Sequence, residues 1–400
     1  MGKFTARDDA VLDRMIEGHM TRIVETVLPN MQPAAIILRG SFGRGEGSVA
    51  VSGGQYHFFS DYEIDVATYS SGYRTLFKRL SRQLTAELNV ETSLRWVRPD
   101  FLEKDRIGPF VTGAAPHNIS LYESRHGSRV LFGDDFISKS AEVDPAKILK
   151  RDGITLMLNR MAESMMNMDA RGGAVNKNRD SNYWFNKTIL ACGEALLLSW
   201  GQYHYSYAER GRRFAALADG NLSFLEDGGR QLTELFKRAT QYKLIPDPAL
   251  YPEPAAELWQ SSIPLIDQVF GHLGKELLGI RPWNYETYPE VYLERRMEHK
   301  EKKNLTEDAF EKLLDIYRSV RARHFPPGLF AALSLDEYVY ASLPLVFHSL
   351  GTDDCAQVLQ AARESMKPLG KLEDPKPETR LERDYLRQAI TWYWKVYCYG

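Results

Sequence analysis

Ile36-Ile37-Leu38-Arg39-Gly40-Ser41-Phe42-Gly43-Arg44-Gly45-Glu46-Gly47, followed by Phe58-Phe59-Ser60-Asp61-Tyr62-Glu63-Ile64-Asp65-Val66, decides the fold. The apolar run Ala35 to Leu38 stops at a Gly-Ser pair, as a buried strand does when it meets a turn. Gly40, Gly43, Gly45 and Gly47 leave the backbone open to close approach, and Ser41 adds a hydroxyl beside exposed N–H groups. A turn of that composition can cradle phosphate oxygens. Arg44 offers a bidentate clamp for the same oxygens, with capping of the sheet or a pair with Glu46 as the structural alternatives. Arg39 is expected to face away.

Asp61, Glu63 and Asp65 are spaced two apart, so a strand through them points all three to one face. Crowded carboxylates repel unless a hard cation lies between them. Magnesium takes oxygen ligands from one or two carboxylates plus substrate phosphates. The plain alternative is a row of solvent-facing acids on an edge strand. A phosphate-holding turn beside a metal-binding strand is equipment for metal-assisted transfer of a phosphate-containing group.

These residues resemble the nucleotidyltransferase superfamily, which includes DNA polymerase beta and the aminoglycoside nucleotidyltransferases. That family carries a strand, Gly-Ser, then Ser-Asp-x-Asp/Glu on the next strand. Gly40-Ser41 with Gly43-Arg44-Gly45-Glu46 is similar to the minimal bacterial version, and Ser60-Asp61-Tyr62-Glu63 fills the second half. The likeness covers Ile36 to Val66 and extends to about Phe136. One departure is the interval of nineteen residues between Ser41 and Asp61, longer than usual, which predicts a loop or small hairpin over Val49 to His57.

The resemblance implies two Mg2+ ions on Asp61 and Glu63, and a nucleoside triphosphate, ATP first, on Gly40 and Ser41. It also implies a third carboxylate on a following strand that helps deprotonate the attacking hydroxyl. Glu91, on the strand expected over Val90 to Val97, is the first choice for it. Glu123, on a strand expected over Ile119 to Glu123, is the second, and Asp65 serves instead if the register shifts by two. In aminoglycoside-type relatives a helical lysine reaches the triphosphate, which points to Lys187; the alternative is a snorkelling surface lysine.

The rest of the chain bounds these expectations. Its 400 residues exceed one ordinary core. The class is α+β: an N-terminal mixed sheet with flanking helices over 1–141, then a helical domain over 142–280 and a C-terminal helical domain over 281–400. Asp8-Asp9 opens the first helix, and helical spacing recurs from Ile148 to Tyr397. A formal net charge of −2 supplies no bulk basic field, which disfavours a nucleic-acid acceptor and leaves a small molecule or protein side chain. Arg171, Lys177 and Arg179 form a local basic loop, and the run Glu298 to Lys303 reads as a solvated helix end. Three scattered cysteines, the lack of a signal-like N-terminus and the shortness of the apolar helix Ile189 to Trp200 predict a cytoplasmic chain with no membrane span. Trp392, Tyr393, Trp394 and Tyr397 are expected to pack in a helical core. The expected activity is transfer of a nucleoside monophosphate to an acceptor hydroxyl with release of pyrophosphate. The alternative is a catalytically degenerate nucleotide-binding regulatory or interaction protein.

Overall fold

The computed structural model describes residues 2–70, 72–99, 118–140, 142–167, 181–227, 229–281, 283–300, 305–352, 355–370, 372 and 379–398. The basic loop Arg171 to Asp180 lies outside the described residues. Asp9 accepts hydrogen bonds from the N–H groups of Val11 and Leu12 and so starts α1, Ala10–Val27. The chain then forms β1 (Ala35–Arg39), a single turn α2 (Gly40–Gly43), β2 (Val49–Ser52), β3 (Gln55–Phe58), β4 (Tyr62–Ala67), α3 (Arg74–Leu88) and β5 (Thr92–Val97). After 100–117, which fall outside the described residues, come α4 (Ile119–His126) and β6 (Arg129–Gly133).

Four strands make a mixed sheet in the order β5-β4-β1-β6. β1 runs antiparallel to both β4 and β6, whereas β4 and β5 are parallel. One face carries Ile36, Leu38, Tyr62, Ile64, Val66 and Leu94, buried with the apolar sides of α1 and α3. The opposite face carries Ala35, Ile37 and Ala67 near Phe136, and the charged residues of the site. β2 and β3 form the expected hairpin, closed by Gly53-Gly54.

Ile119 to Glu123 is helical, where a strand was expected. Asn118 accepts from the Leu121 N–H and caps the turn. Alternation over five residues cannot outweigh such a cap.

The helical elements that follow are α5 (Arg151–Asn167), α6 (Ser181–Ser199), α7 (Tyr207–Asn221), α8 (Arg230–Leu244), α9 (Ala255–Leu273), α10 (Tyr288–Lys300), α11 (Leu305–Ala322), α12 (Leu335–Ser349), α13 (Ala356–Met366) and α14 (Thr379–Tyr397). The chain separates into two compact units, not three consecutive domains. The first is Met1–Leu149 with Trp200–Leu217 and Phe236–Leu250; the second is Lys150–Ser199, Ala218–Leu235 and Tyr251–Gly400. The first break falls after Leu149, and parts of α7 and α8 belong to the sheet-bearing unit. Boundaries read from composition miss such a return, because nothing local marks it.

In the helical unit, Asn159 Oδ1 of α5 accepts from Tyr340 Oη of α12 and from Trp394 Nε1 of α14, each at 2.9 Å. Tyr393, Trp394 and Tyr397 are buried as expected, whereas Trp392 is exposed. No helix among the described residues is long and apolar enough to cross a membrane.

Leu38 is fully buried at the centre of the sheet. Leu38→Ala should lower the unfolding free energy by about 3 kcal/mol in urea titrations followed by circular dichroism. A loss below about 1 kcal/mol would mean that this face is not the packed one.

Candidate functional site

β1 ends at Arg39, and the chain enters α2 through Gly40 at φ +64°. A Cβ at Gly40 would lie 2.4 Å from Glu63 Oε1, so only glycine lets the turn close on that carboxylate. The approach follows from register, since Arg39 pairs with Glu63 across β1 and β4. Phe42 anchors the turn in the core with its ring 4.8 Å from that of Tyr62. Ser41 remains half-buried above it. The later glycines serve packing: Gly43 abuts the Gly127 carbonyl, and Gly47 abuts the Phe42 ring.

Asp61 and Glu63 present their carboxyls beside this turn. Glu63 reaches solvent, yet the packing around its carboxyl pushes its pKa up, and the Asp61 charge adds to the rise. Arg39 and Arg44 pull the other way, and Glu123 reinforces the upward push. Asp65 is different. It is buried, takes both Nε and Nη2 of Arg95 at 2.8 Å, and meets Arg39 Nη1 at 3.1 Å. Burial pushes its carboxyl up to about 6 even with Arg39 beside it. Asp65 is therefore the ion-pair partner of two guanidiniums. Arg39, expected to face away, lies on the carboxylate face because Cβ directions alternate and its partner across the ladder is Glu63.

Glu91 precedes β5, which begins at Thr92 rather than Val90. Its carbonyl accepts the Tyr62 N–H at 2.8 Å. It is exposed and lines a cavity of about 1110 Å3 along α3 and β5, with Ser93 and Arg95. The charges that act on Glu63 come from Asp61, Arg39, Arg44 and Glu123. Among the described residues, no three His, Cys, Asp or Glu side chains assemble into a metal-holding group. The site therefore joins Gly40, Ser41, Asp61 and Glu63, with Glu91 at the neighbouring strand.

Arg44 has protein partners. Its buried guanidinium lies 3.2 Å from Glu123 Oε2 and 3.7 Å from Glu46 Oε2. Glu123 also accepts from Tyr203 Oη at 2.7 Å and from Arg210 Nη2. Burial disfavours the Glu123 charge, but Arg44 and Arg210 prevail and hold its pKa down to about 2. Glu46 accepts from Ser206 Oγ at 2.7 Å and from the N–H groups of Tyr207 and Ala208 at 2.9 and 3.1 Å. It thereby fastens the first turn of α7 to the glycine loop. Near the end of α8, Lys243 Nζ donates to Ser60 Oγ at 3.2 Å, one residue before Asp61.

Arg210, Tyr203 and Lys243 escaped the sequence reading. The one local signal was Ser206-x-x-Glu209, a capping pattern that starts α7; its Ser206 Oγ accepts the Glu209 N–H at 3.2 Å. Lys187 belongs to the helical unit, where it pairs with Glu163 at 2.8 Å and lies over the Trp184 ring.

Glu123→Gln leaves two buried guanidiniums with less countercharge and should cost about 3 kcal/mol. The folded pKa is depressed, so this stabilisation is full above the ordinary glutamate value of about 4.5 and fades as pH falls toward 2. Denaturant titrations of wild type and variant should therefore converge between about pH 4.5 and 2; a constant difference would refute the pairing.

Comparison of the chain with known protein families, with curated proteins and with solved structures finds no match.

Proposed function

We propose that the sheet-bearing unit is a nucleotidyltransferase, moving a nucleoside monophosphate from a triphosphate, ATP first, to an acceptor hydroxyl. The observation that carries this reading is the closure of the Gly40 turn onto Glu63, with Asp61 one step away on the same strand edge. A glycine turn beside two neighbouring carboxylates, with the Asp61 charge pushing the Glu63 pKa up, suits a substrate that arrives with its own cation.

Asp61 and Glu63 fit Mg2+ by donor chemistry, since both offer carboxylate oxygens and their repulsion is relieved by a divalent charge. When bound, magnesium neutralises charge on the phosphates and on the leaving pyrophosphate. The chain's own part is positioning. Ser41 and the N–H groups of the turn hold the β- and γ-phosphates, and Lys243 adds positive charge at Ser60. The acceptor oxygen forms its bond to the α-phosphorus and gives up its proton to solvent as the bond from that phosphorus to the bridging oxygen breaks, and pyrophosphate departs in line. Arg44 keeps the turn in shape through Glu46 and Glu123, a different task from clamping phosphate.

A second reading is a nucleotide-binding regulator without transfer. It is favoured by the engagement of Glu123 with Arg44 and Arg210 and by the position of Glu91 along α3 and β5.

Thermal unfolding with each nucleoside triphosphate, with and without Mg2+, tests both. At about a hundred times its dissociation constant a ligand adds roughly 2.7 kcal/mol. A magnesium-dependent rise in Tm is expected, abolished by Asp61→Asn, and Lys243→Ala should weaken triphosphate affinity about tenfold. Pyrophosphate release with small-molecule and protein acceptors then separates transfer from binding. No Tm shift with any triphosphate would sink both readings.

A further inference from the structure

We propose that the helical unit contains a second small-molecule site, independent of the first, which takes a small hydroxylated aromatic anion between His348 and Lys275. A cavity of about 580 Å3 lies along α9 and the Trp283–Tyr285 segment, a volume within the range of ligand pockets. Asp267 of α9 organises its polar wall. The Asp267 carboxylate receives Tyr285 Oη at 2.7 Å on one oxygen and His348 Nδ1, from α12, at 2.5 Å on the other. The His348 ring is stacked on Tyr285 with centroids 4.2 Å apart and planes 18° from parallel. Both contacts fix the imidazole, and the Nδ1–H bond to the carboxylate leaves the Nε2 lone pair as the acceptor in the neutral ring. Nε2 makes no hydrogen bond to any described residue, and His348 lines the cavity.

His348 is half-buried and opens on space. The rest of the lining defines what fits that space. Trp283 lies directly over Gly271 and Gly274; a Cβ at those positions would come within 2.9 and 2.2 Å of its indole. There α9 widens into a π turn over Gly274–Leu278, a distortion frequent at functional sites. His272 stacks face to face on Phe224 at 3.8 Å, giving a further flat wall. The charge is one-sided: Asp267 is consumed by its two donors, Glu276 pairs with Arg281 at 3.3 Å, and Lys275 lines the cavity as a cation. Flat aromatic walls, a lysine and a fixed proton acceptor select a planar anion that carries an O–H.

Benzoate and the three hydroxybenzoates probe this directly, read by NMR of protein labelled at the histidine ring carbons. Only nine histidines need assignment, by substitution. The expected result is saturable movement of the His348 signal, with one hydroxybenzoate binding about fivefold tighter than benzoate. His348→Gln, whose amide can still donate to Asp267, should erase the advantage of the hydroxyl. Lys275→Ala, at an exposed position, should weaken all four ligands about fivefold without affecting folding. Absence of a saturable shift at His348, or affinities unchanged in Lys275→Ala, would overturn the proposal. Either result is distinct from the nucleotide readout at Asp61.

Discussion

The antiparallel register of β1 against β4 is the constraint on which the site depends. It sets Arg39 opposite Glu63 and Ile37 opposite Asp65, so the turn at Gly40 must meet the carboxylate end of β4. A one-residue slip would send either Ile36 and Leu38 of β1 or Ile64 and Val66 of β4 out of the core and bring charged residues in. The apolar face packed under α1 and α3 makes that slip prohibitive, so the position of the carboxylates is inherited from hydrophobic burial. Fixing a polar constellation on rigid strands in this way keeps its geometry without help from the ligand.

The opposite face of the sheet carries ion-paired charge, and its organisation explains why the loop after β1 keeps its shape. Asp65 is enclosed by Arg39 and Arg95, and Glu123 by Arg44 and Arg210. Pairs of this kind add little net stability, because desolvation offsets the attraction, but breaking one is costly. They act as registration pins. Glu46 extends the pinning by capping the first turn of α7, where negative charge meets the N–H groups of Tyr207 and Ala208. The returning segments of α7 and α8 thus belong to the sheet-bearing unit through specific polar contacts, and they bring Lys243 to Ser60.

Strands, hairpin and helices were legible wherever periodicity and turn chemistry agreed. An apolar run with a Gly-Ser stop located β1, two-residue spacing located Asp61 and Glu63 on one edge, and the long interval between Ser41 and Asp61 announced the hairpin. What escaped was set by distant partners. Glu123 looked like a strand residue until Asn118 capped its helix, and its ties to Arg44 and Arg210 span 79 and 87 residues of sequence. Arg39 was misplaced because alternation alone does not say which face of a strand will be polar; the pairing with Glu63 does. Asp65 was one of three equivalent acids by spacing, and its burial against the guanidiniums of Arg39 and Arg95 separates it from the other two. The division into two interleaved units had no compositional signal at all.

The proposed function requires Gly40, Ser41, Asp61 and Glu63 to form one site for a magnesium-bound triphosphate. A crystal structure with Mg2+ and an ATP analogue that cannot be cleaved between the α- and β-phosphates tests it most directly. The expected result is β- and γ-phosphates against the Gly40–Ser41 turn with the metal ion held by Asp61 and Glu63. A nucleotide bound elsewhere, or a metal bound away from both carboxylates, would contradict it.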